Sequence, residues 1–449
     1  MADLPQPIFF SFIQLDKWIL LILSLITALL VIENVDAIVA DFLVAFNTST
    51  FGIILFIIIS AGYLIGQFFL LKFIRVHSNT IKSRSRMIAK SLTAVTIVQY
   101  SLALNLILLI FQILVLSHYS TLSLIFVSFV SNITSAILFT IFSIRFISWY
   151  KEKRQSLGVL LYSLAFLILA VSQVIAGLGD TYLLSQKDQI ITPASKVQFN
   201  DFPEGSFFNE FYDYYAYLDY ASFLLTLLAS ALLLYHYSKK ANKPKMVFII
   251  FLPILSYSSS ILDSLNIYDT DTSSDLFSYY IFASLIRTLS GILFAISFWF
   301  IARRLPQSPI KTFLKITAFG FILLYVSNHS SVIVTPYPPF GMVSLSLLSL
   351  SSYYLLFGLY SSALSLSQDI TLRNHLRSIA RNDNNLLSSI GTAQMETEVK
   401  RAVGELKEVA DEHEKELEEK SGIETPIAEN EVEDYLKQVI EEVSRARKK

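Results

Sequence analysis

Ten runs of roughly twenty predominantly apolar residues recur along the chain, and a run that long matches the ~30 Å hydrocarbon thickness of a bilayer. They lie near 18–43, 51–73, 92–116, 121–145, 157–178, 221–237, 246–262, 278–301, 312–334 and 341–366. A backbone surrounded by hydrocarbon must satisfy its own N–H and C=O groups, so runs of this kind fold as helices. The sequence therefore predicts an all-α, polytopic membrane protein of about ten spans. Only 16% of the 449 residues are charged against 53% hydrophobic, too little charge to cover a water-soluble surface. Two runs are irregular. The first contains Glu33 and Asp36, and the seventh, MVFIIFLPILSYSSSIL, is short and interrupted by Pro253. The N-terminal stretch MADLPQPIFFSFIQLDK has no basic region ahead of its apolar part and no small-x-small cleavage site. The first run is thus expected to stay as an anchor.

The connections sort by charge. Residues 72–90 carry six basic side chains and no acid, and 145–154, 239–245 and 302–311 are basic as well. The alternate connections, 46–50, 117–120, 179–219, 263–275 and 335–341, contain only Lys187 and Lys196. The positive-inside rule then places both termini in the cytoplasm of a cell membrane. Short basic loops at a bilayer present no duplex-sized surface, so they predict contact with membrane lipids and no nucleic-acid partner. On the other side, the 179–219 loop holds seven acids and runs into FFNEFYDYYAYLDY. Its rings suit headgroup depth, or alternatively a ligand-facing rim.

Several chemistries are excluded or unsupported. With no cysteine there is neither a disulfide framework nor a thiolate nucleophile. The six histidines are scattered without metal-ligand spacing. DTDTSSD, in 263–275, lacks the glycine and the glutamate of a calcium-binding EF-hand. No glycine-rich nucleotide loop occurs, and no nucleophile and base are placed together, so neither a cofactor nor a catalytic role is expected.

Charges inside a membrane need a partner or an aqueous cavity. Glu33 and Asp36 stand three apart, on one helix face, and Arg287 lies ten residues into the eighth run. The carboxylate facing Arg287 must come from another helix: Glu33 or Asp36, or else Asp263 at the outer end of the seventh run. The set can be a static ion pair or the lining of a binding or proton-coupled cavity. An unperturbed imidazole titrates near neutrality, so His329 adds a switch to the same list. Gln99, Asn105, Asn132, Gln173 and Asn328 are expected to make interhelical hydrogen bonds.

The chain leaves its last span through SSALSLSQDITLRNHLRSIARNDNN without a proline, and Arg373, Arg377 and Arg381 recur every four residues. One helix is therefore expected to run from the span into residues 367–420, with Gly391 and the asparagines before it as places to bend. Val399, Val403, Leu406, Ala410, His413 and Leu417 step by four and three, the seam of a short coiled coil. Residues 421–430 form a linker with Gly422 and Pro426, and 431–449 a last amphipathic helix. Residues 399–443 are expected to meet a second copy of the chain or another protein; the alternative for the seam is a helix lying against the basic cytoplasmic connections.

The motifs YPPFG at 337–341, SSYYLLFGLYSSALSLSQDITLR and SIGTAQME resemble multi-pass membrane proteins of mesophilic archaea, some of which look like stand-alone sensory membrane modules. The resemblance implies no catalytic residues, and the chain has no kinase or phosphoacceptor module. Together with the acidic loop and helical tail, it points to a receptor-like or signal-coupling module of unknown ligand. The alternatives are a transporter or channel using Arg287 with Glu33 or Asp36, and a structural subunit of a membrane complex.

Overall fold

The computed structural model describes residues 7–38, 44–82, 85–152, 156–195, 207–237, 290–305, 308–328, 337–369, 386–401 and 404. The chain forms α1 (Pro7–Ile38), a single turn α2 (Val44–Asn47), α3 (Thr50–Lys82) and α4 (Arg86–Phe111), then α5 (Thr121–Glu152), α6 (Leu157–Ser185) and α7 (Phe207–Tyr237). Next come α8 (290–304), α9 (Pro309–Ser327), the short α10 (Met342–Ser346), α11 (Leu348–Gln368) and α12 (386–401). Eight helical stretches among the described residues are long and apolar enough to cross a membrane, each on one of the ten runs expected. The run 246–262 lies outside the described residues, and only 290–301 of the run 278–301 lies within them.

Local chemistry sets the helix ends. Ser85 caps α4, its hydroxyl accepting from the Ile88 N–H, and Pro309 opens α9 where its missing N–H costs nothing. α4 finishes in one π-helical turn, Gln112–Leu116, and Ser117 (φ 53°) then reverses the chain in the left-handed region. Beyond that reversal β1 (Tyr119–Ser120) pairs antiparallel with β2 (Ile190–Ile191), joining Tyr119 to Ile191 and Ser120 to Ile190. Two connections at this end of the bundle are thereby tied together.

The core is organised around α11. Every residue from Leu348 to Leu364 is buried, which marks a helix enclosed on all sides. α4, α5, α9 and α10 pack against it, while α1, α3, α6 and α7 pack outside these. Its sequence explains the enclosure. Serines and Gly358 keep its surface narrow enough for close approach, and Ser351, Ser352 and Ser362 satisfy their hydroxyls on Leu348 and Gly358 carbonyls of the same helix. The outer helices instead expose apolar side chains, such as Ile54, Ile58 and Ile65 on α3 and Ile97, Leu104 and Leu108 on α4. Those stripes suit hydrocarbon.

Two expectations are corrected. The helix of the last span does not run on into the tail: it ends at Gln368, and Asp369 is extended (φ −107°, ψ 102°). α12 returns to the bundle because its apolar residues Leu386, Leu387 and Ile390 are buried there, a better environment than water for three large side chains. The 179–219 connection is also shorter than expected. α6 continues through Asp180 to Ser185, carried by the apolar Tyr182, Leu183 and Leu184, and α7 already begins at Phe207.

Candidate functional site

Glu33 sits on α1 with no solvent exposure, beside the N-terminus of α10. Its Oε1 accepts from the N–H groups of Gly341 (3.0 Å) and Val343 (2.8 Å). Its Oε2 accepts from the N–H (2.7 Å) and the hydroxyl (2.5 Å) of Ser344. An ionised carboxylate offers acceptors alone, which matches four donors converging on it, and a helix N-terminus favours negative charge. Gly341 makes the arrangement accessible, because its φ of 94° turns its N–H and those that follow toward one point. On the adjacent residue, Asn34 donates to the Val326 carbonyl at 2.7 Å, near the end of α9. α1 thus offers an acceptor to one helix start and a donor to one helix end.

Leu347 separates α10 from α11, and this break is held from the other side by α3 and α4. Gln99 donates to the Ser346 carbonyl (2.9 Å) and to the Ser349 hydroxyl (2.7 Å). Tyr63 donates to the Gln99 side chain (3.4 Å) and Gln67 to the Gln99 carbonyl (2.7 Å). Ser135 of α5 and Ser352 of α11 share a hydrogen bond of 2.5 Å. Just outside the spans, Tyr337 stacks on Tyr119 with centroids 6.1 Å apart. Burial holds the Tyr119 phenol well above its ordinary pKa, so this cap stays neutral.

Two further polar sets lie between helices, the first buried and the second part-buried. Ser128 of α5 donates to Asp180 of α6 at 2.7 Å, and Asn132 donates to Ser128 at 3.1 Å. Gln173 of α6 donates to Asn328 at 2.5 Å, which donates to Asp219 of α7 at 3.2 Å. Gln99, Gln173 and Asn328 make the interhelical hydrogen bonds expected of them, and Asn105 reaches the Ser123 carbonyl at 3.2 Å. Asn132 bonds within its own helix.

The opposite end of α11, on the side of the basic connections, carries a second contact. Trp149 of α5 donates to Gln394 of α12 at 3.0 Å, Gln394 donates to Glu398 at 3.1 Å, and the Ser367 hydroxyl lies 3.3 Å from Glu398. Cβ of Leu366 stands so near Gly391 that a side chain added there would meet it at 2.6 Å. Gly391 is therefore a seat for Leu366 rather than a bend. Lys400 pairs with Glu152 at 2.6 Å, but its side chain is 69% exposed. Replacing Lys400 with glutamine is expected to leave the melting temperature of the detergent-solubilised protein unchanged, since exposed pairs contribute roughly 0–1 kcal/mol. Gln394→Ala leaves the buried Trp149 N–H without its acceptor and is expected to cost about 1–3 kcal/mol in the same measurement.

No protein-family model, curated protein or solved structure matches the chain. Its site is read from geometry alone.

Of the residues singled out from the sequence, Glu33 and Asp36 part company. Glu33 is engaged by α10, whereas Asp36 is buried and makes no hydrogen bond or ion pair with the described residues. Asp263, Arg287 and His329 lie outside the described residues. Val399 of the expected seam is exposed, and Val403 with the seam beyond it lies outside the described residues too. Among the described residues no group of three or more His, Cys, Asp or Glu side chains could hold a metal ion. The arrangement is one of latches. Each end of the central helix is fastened to a neighbour by directional hydrogen bonds. Sequence reasoning missed the donors to Glu33, because main-chain N–H groups leave no trace in residue identity. It also missed Asp180 as a buried helical group, although the apolar TYLLS after it signalled a longer helix.

Proposed function

We propose that the chain is a signal-coupling module of a cell membrane, with ten spans and both termini in the cytoplasm. In this reading an external or intramembrane event shifts the α10–α11 unit, and α12 with the tail relays the shift to a cytoplasmic partner. The observation that carries it is the pair of latches on the α10–α11 unit: Glu33 at the start of α10, Ser367 and Leu366 against α12 at the far end of α11. A packed helix surrounded on all sides moves as a unit between discrete arrangements. Residues 399–443 then offer the partner surface, to a second copy or another protein. The break at Leu347 beside a buried carboxylate also suits a transporter. Glu33, however, already accepts four protein donors, which favours a fastening over a carrier.

The absence of cysteine makes the test direct. A side chain at Gly158 would stand 3.8 Å from Cβ of Leu386, the ordinary separation across a disulfide. The double variant Gly158→Cys with Leu386→Cys is expected to crosslink readily in oxidant-treated membranes. Adding Ser344→Ala, which removes one hydrogen bond from the distant Glu33 latch, is expected to change the crosslinking rate about twofold or more, as a coupling of roughly 0.5–2 kcal/mol requires. A folded triple variant that crosslinks at the original rate shows two independent ends and defeats the proposal.

A further inference from the structure

α1, α8 and α9 do not close on one another along their whole length. A groove of about 550 Å³ runs between them, within the range of ligand pockets. Its walls include Leu20 and Val31 of α1, Trp299 of α8 and Ile322 of α9, and it is hollow because Ala28, Ala295 and Ala318 stand where larger side chains would meet. The hydroxyls of Ser24 and Thr27 turn back to the Leu20 and Leu23 carbonyls at 2.9 and 2.8 Å. They present no unmet polar group to an occupant, and the groove asks for hydrocarbon.

Its length and its mouth narrow the choice. From Leu20 to Val31 the groove follows eleven residue steps of α1, about 16 Å at 1.5 Å per residue, which is roughly half of a ~30 Å hydrocarbon layer. One leaflet fits. At the end nearest the basic connection between α8 and α9, the Lys315 ammonium stands 5.8 Å from the centre of the Trp299 ring. Arg303, one helical turn beyond Trp299, is exposed, and Lys311 is one turn away from Lys315. An indole and several cations at the end of a hydrocarbon groove match the interface depth of an anionic headgroup. A peptide segment would bring main-chain N–H and C=O groups that these apolar walls cannot satisfy.

We propose that this groove binds one acyl chain of an anionic membrane phospholipid, with the phosphate held near Lys315 and Lys311. The site is independent of the signalling proposal and needs only that the helices lie in a bilayer.

The test uses the full chain in phosphatidylcholine nanodiscs. Phosphatidylglycerol or phosphatidylcholine with a dibrominated acyl chain is added in small mole fractions, and tryptophan emission is recorded. Subtracting the signal of Trp299→Phe isolates Trp299 from Trp18 and Trp149. Quenching of Trp299 is expected to saturate at low mole fraction of brominated phosphatidylglycerol. Lys315→Gln is expected to weaken that apparent affinity about fivefold, the effect of about 1 kcal/mol per basic residue near anionic lipid. Ala28→Phe, on an exposed position of α1, fills the groove and is expected to remove the saturable phase while leaving the size-exclusion profile unchanged. Equal, linear quenching by both lipids that Ala28→Phe does not alter means ordinary annular lipid and overturns the proposal. No quenching by either lipid means that protein covers the groove, and overturns it as well.

Discussion

Glu33→Ala is expected to yield little folded protein after detergent extraction, and what remains is expected to melt far below the wild type in a size-exclusion thermal series. The carboxylate is the acceptor for three main-chain N–H groups and one hydroxyl, all buried. Each donor left unpaired costs about 1–3 kcal/mol. Relaxation of the α10 turn and entry of water reduce the total, which leaves a loss on the order of 4 kcal/mol. Against a typical stability of roughly 5–15 kcal/mol that is a large fraction. Glu33→Gln separates the two oxygens. If the amide oxygen takes the place of Oε1, Gly341 and Val343 keep their acceptor, while the NH₂ group faces the two donors of Ser344. An intermediate melting temperature is expected. Wild-type melting in both variants would mean that the α10 turn is held by its own packing and not by α1.

Gly358→Leu is expected to abolish folding, and Gly358→Ala to cost about 1–3 kcal/mol as an overpacked contact. α9 and α11 approach each other backbone to backbone. A Cβ on Gly358 would come within 2.7 Å of the Thr317 nitrogen and 2.9 Å of the Phe313 carbonyl oxygen, and would meet the Thr317 hydroxyl. None of the first two can swing aside as a side chain does. The contact is reciprocal, since a Cβ on Gly320 of α9 would stand 2.9 Å from the Leu355 nitrogen of α11. Without a hydrophobic force between helices in lipid, such close van der Waals packing is a principal source of association. Gly179 provides the comparison, because a Cβ there meets nothing within 4 Å. Gly179→Ala is expected to melt at or slightly above the wild type, helix propensity favouring alanine by up to about 1 kcal/mol.

The polar network around α10 shows how unevenly a site can be read from a chain. Gln99 was legible as an interhelical donor because a buried amide needs a partner, and a neighbouring helix commonly supplies one, although Asn132 finds its partner on its own helix. Its target was not, since Ser346 offers only its carbonyl and only because the helix is interrupted at Leu347. Glu33 was legible as a buried carboxylate in need of partners, and an arginine was the natural candidate. Among the described residues, four donors at the start of α10 meet that need and none of them is a charged side chain, Arg287 lying outside the described residues. The tail differs again. Arg373, Arg377 and Arg381 suggested continuation, but Asp369 ends the helix and α12 places Leu386, Leu387 and Ile390 back in the core.

What the sequence determined by itself was the kind of solvent and the set of elements. Apolar runs of membrane-spanning length leave the backbone no alternative to helix, and eight of them appear where the hydrophobicity placed them. Tertiary structure alone decided which helix lies at the centre. Hydrophobicity cannot rank the spans, because lipid and protein interior are equally apolar to a leucine. α11 is enclosed through Gly358, its self-bonded serines and the space left by Gly320, features of shape that act only when a second helix is already beside them.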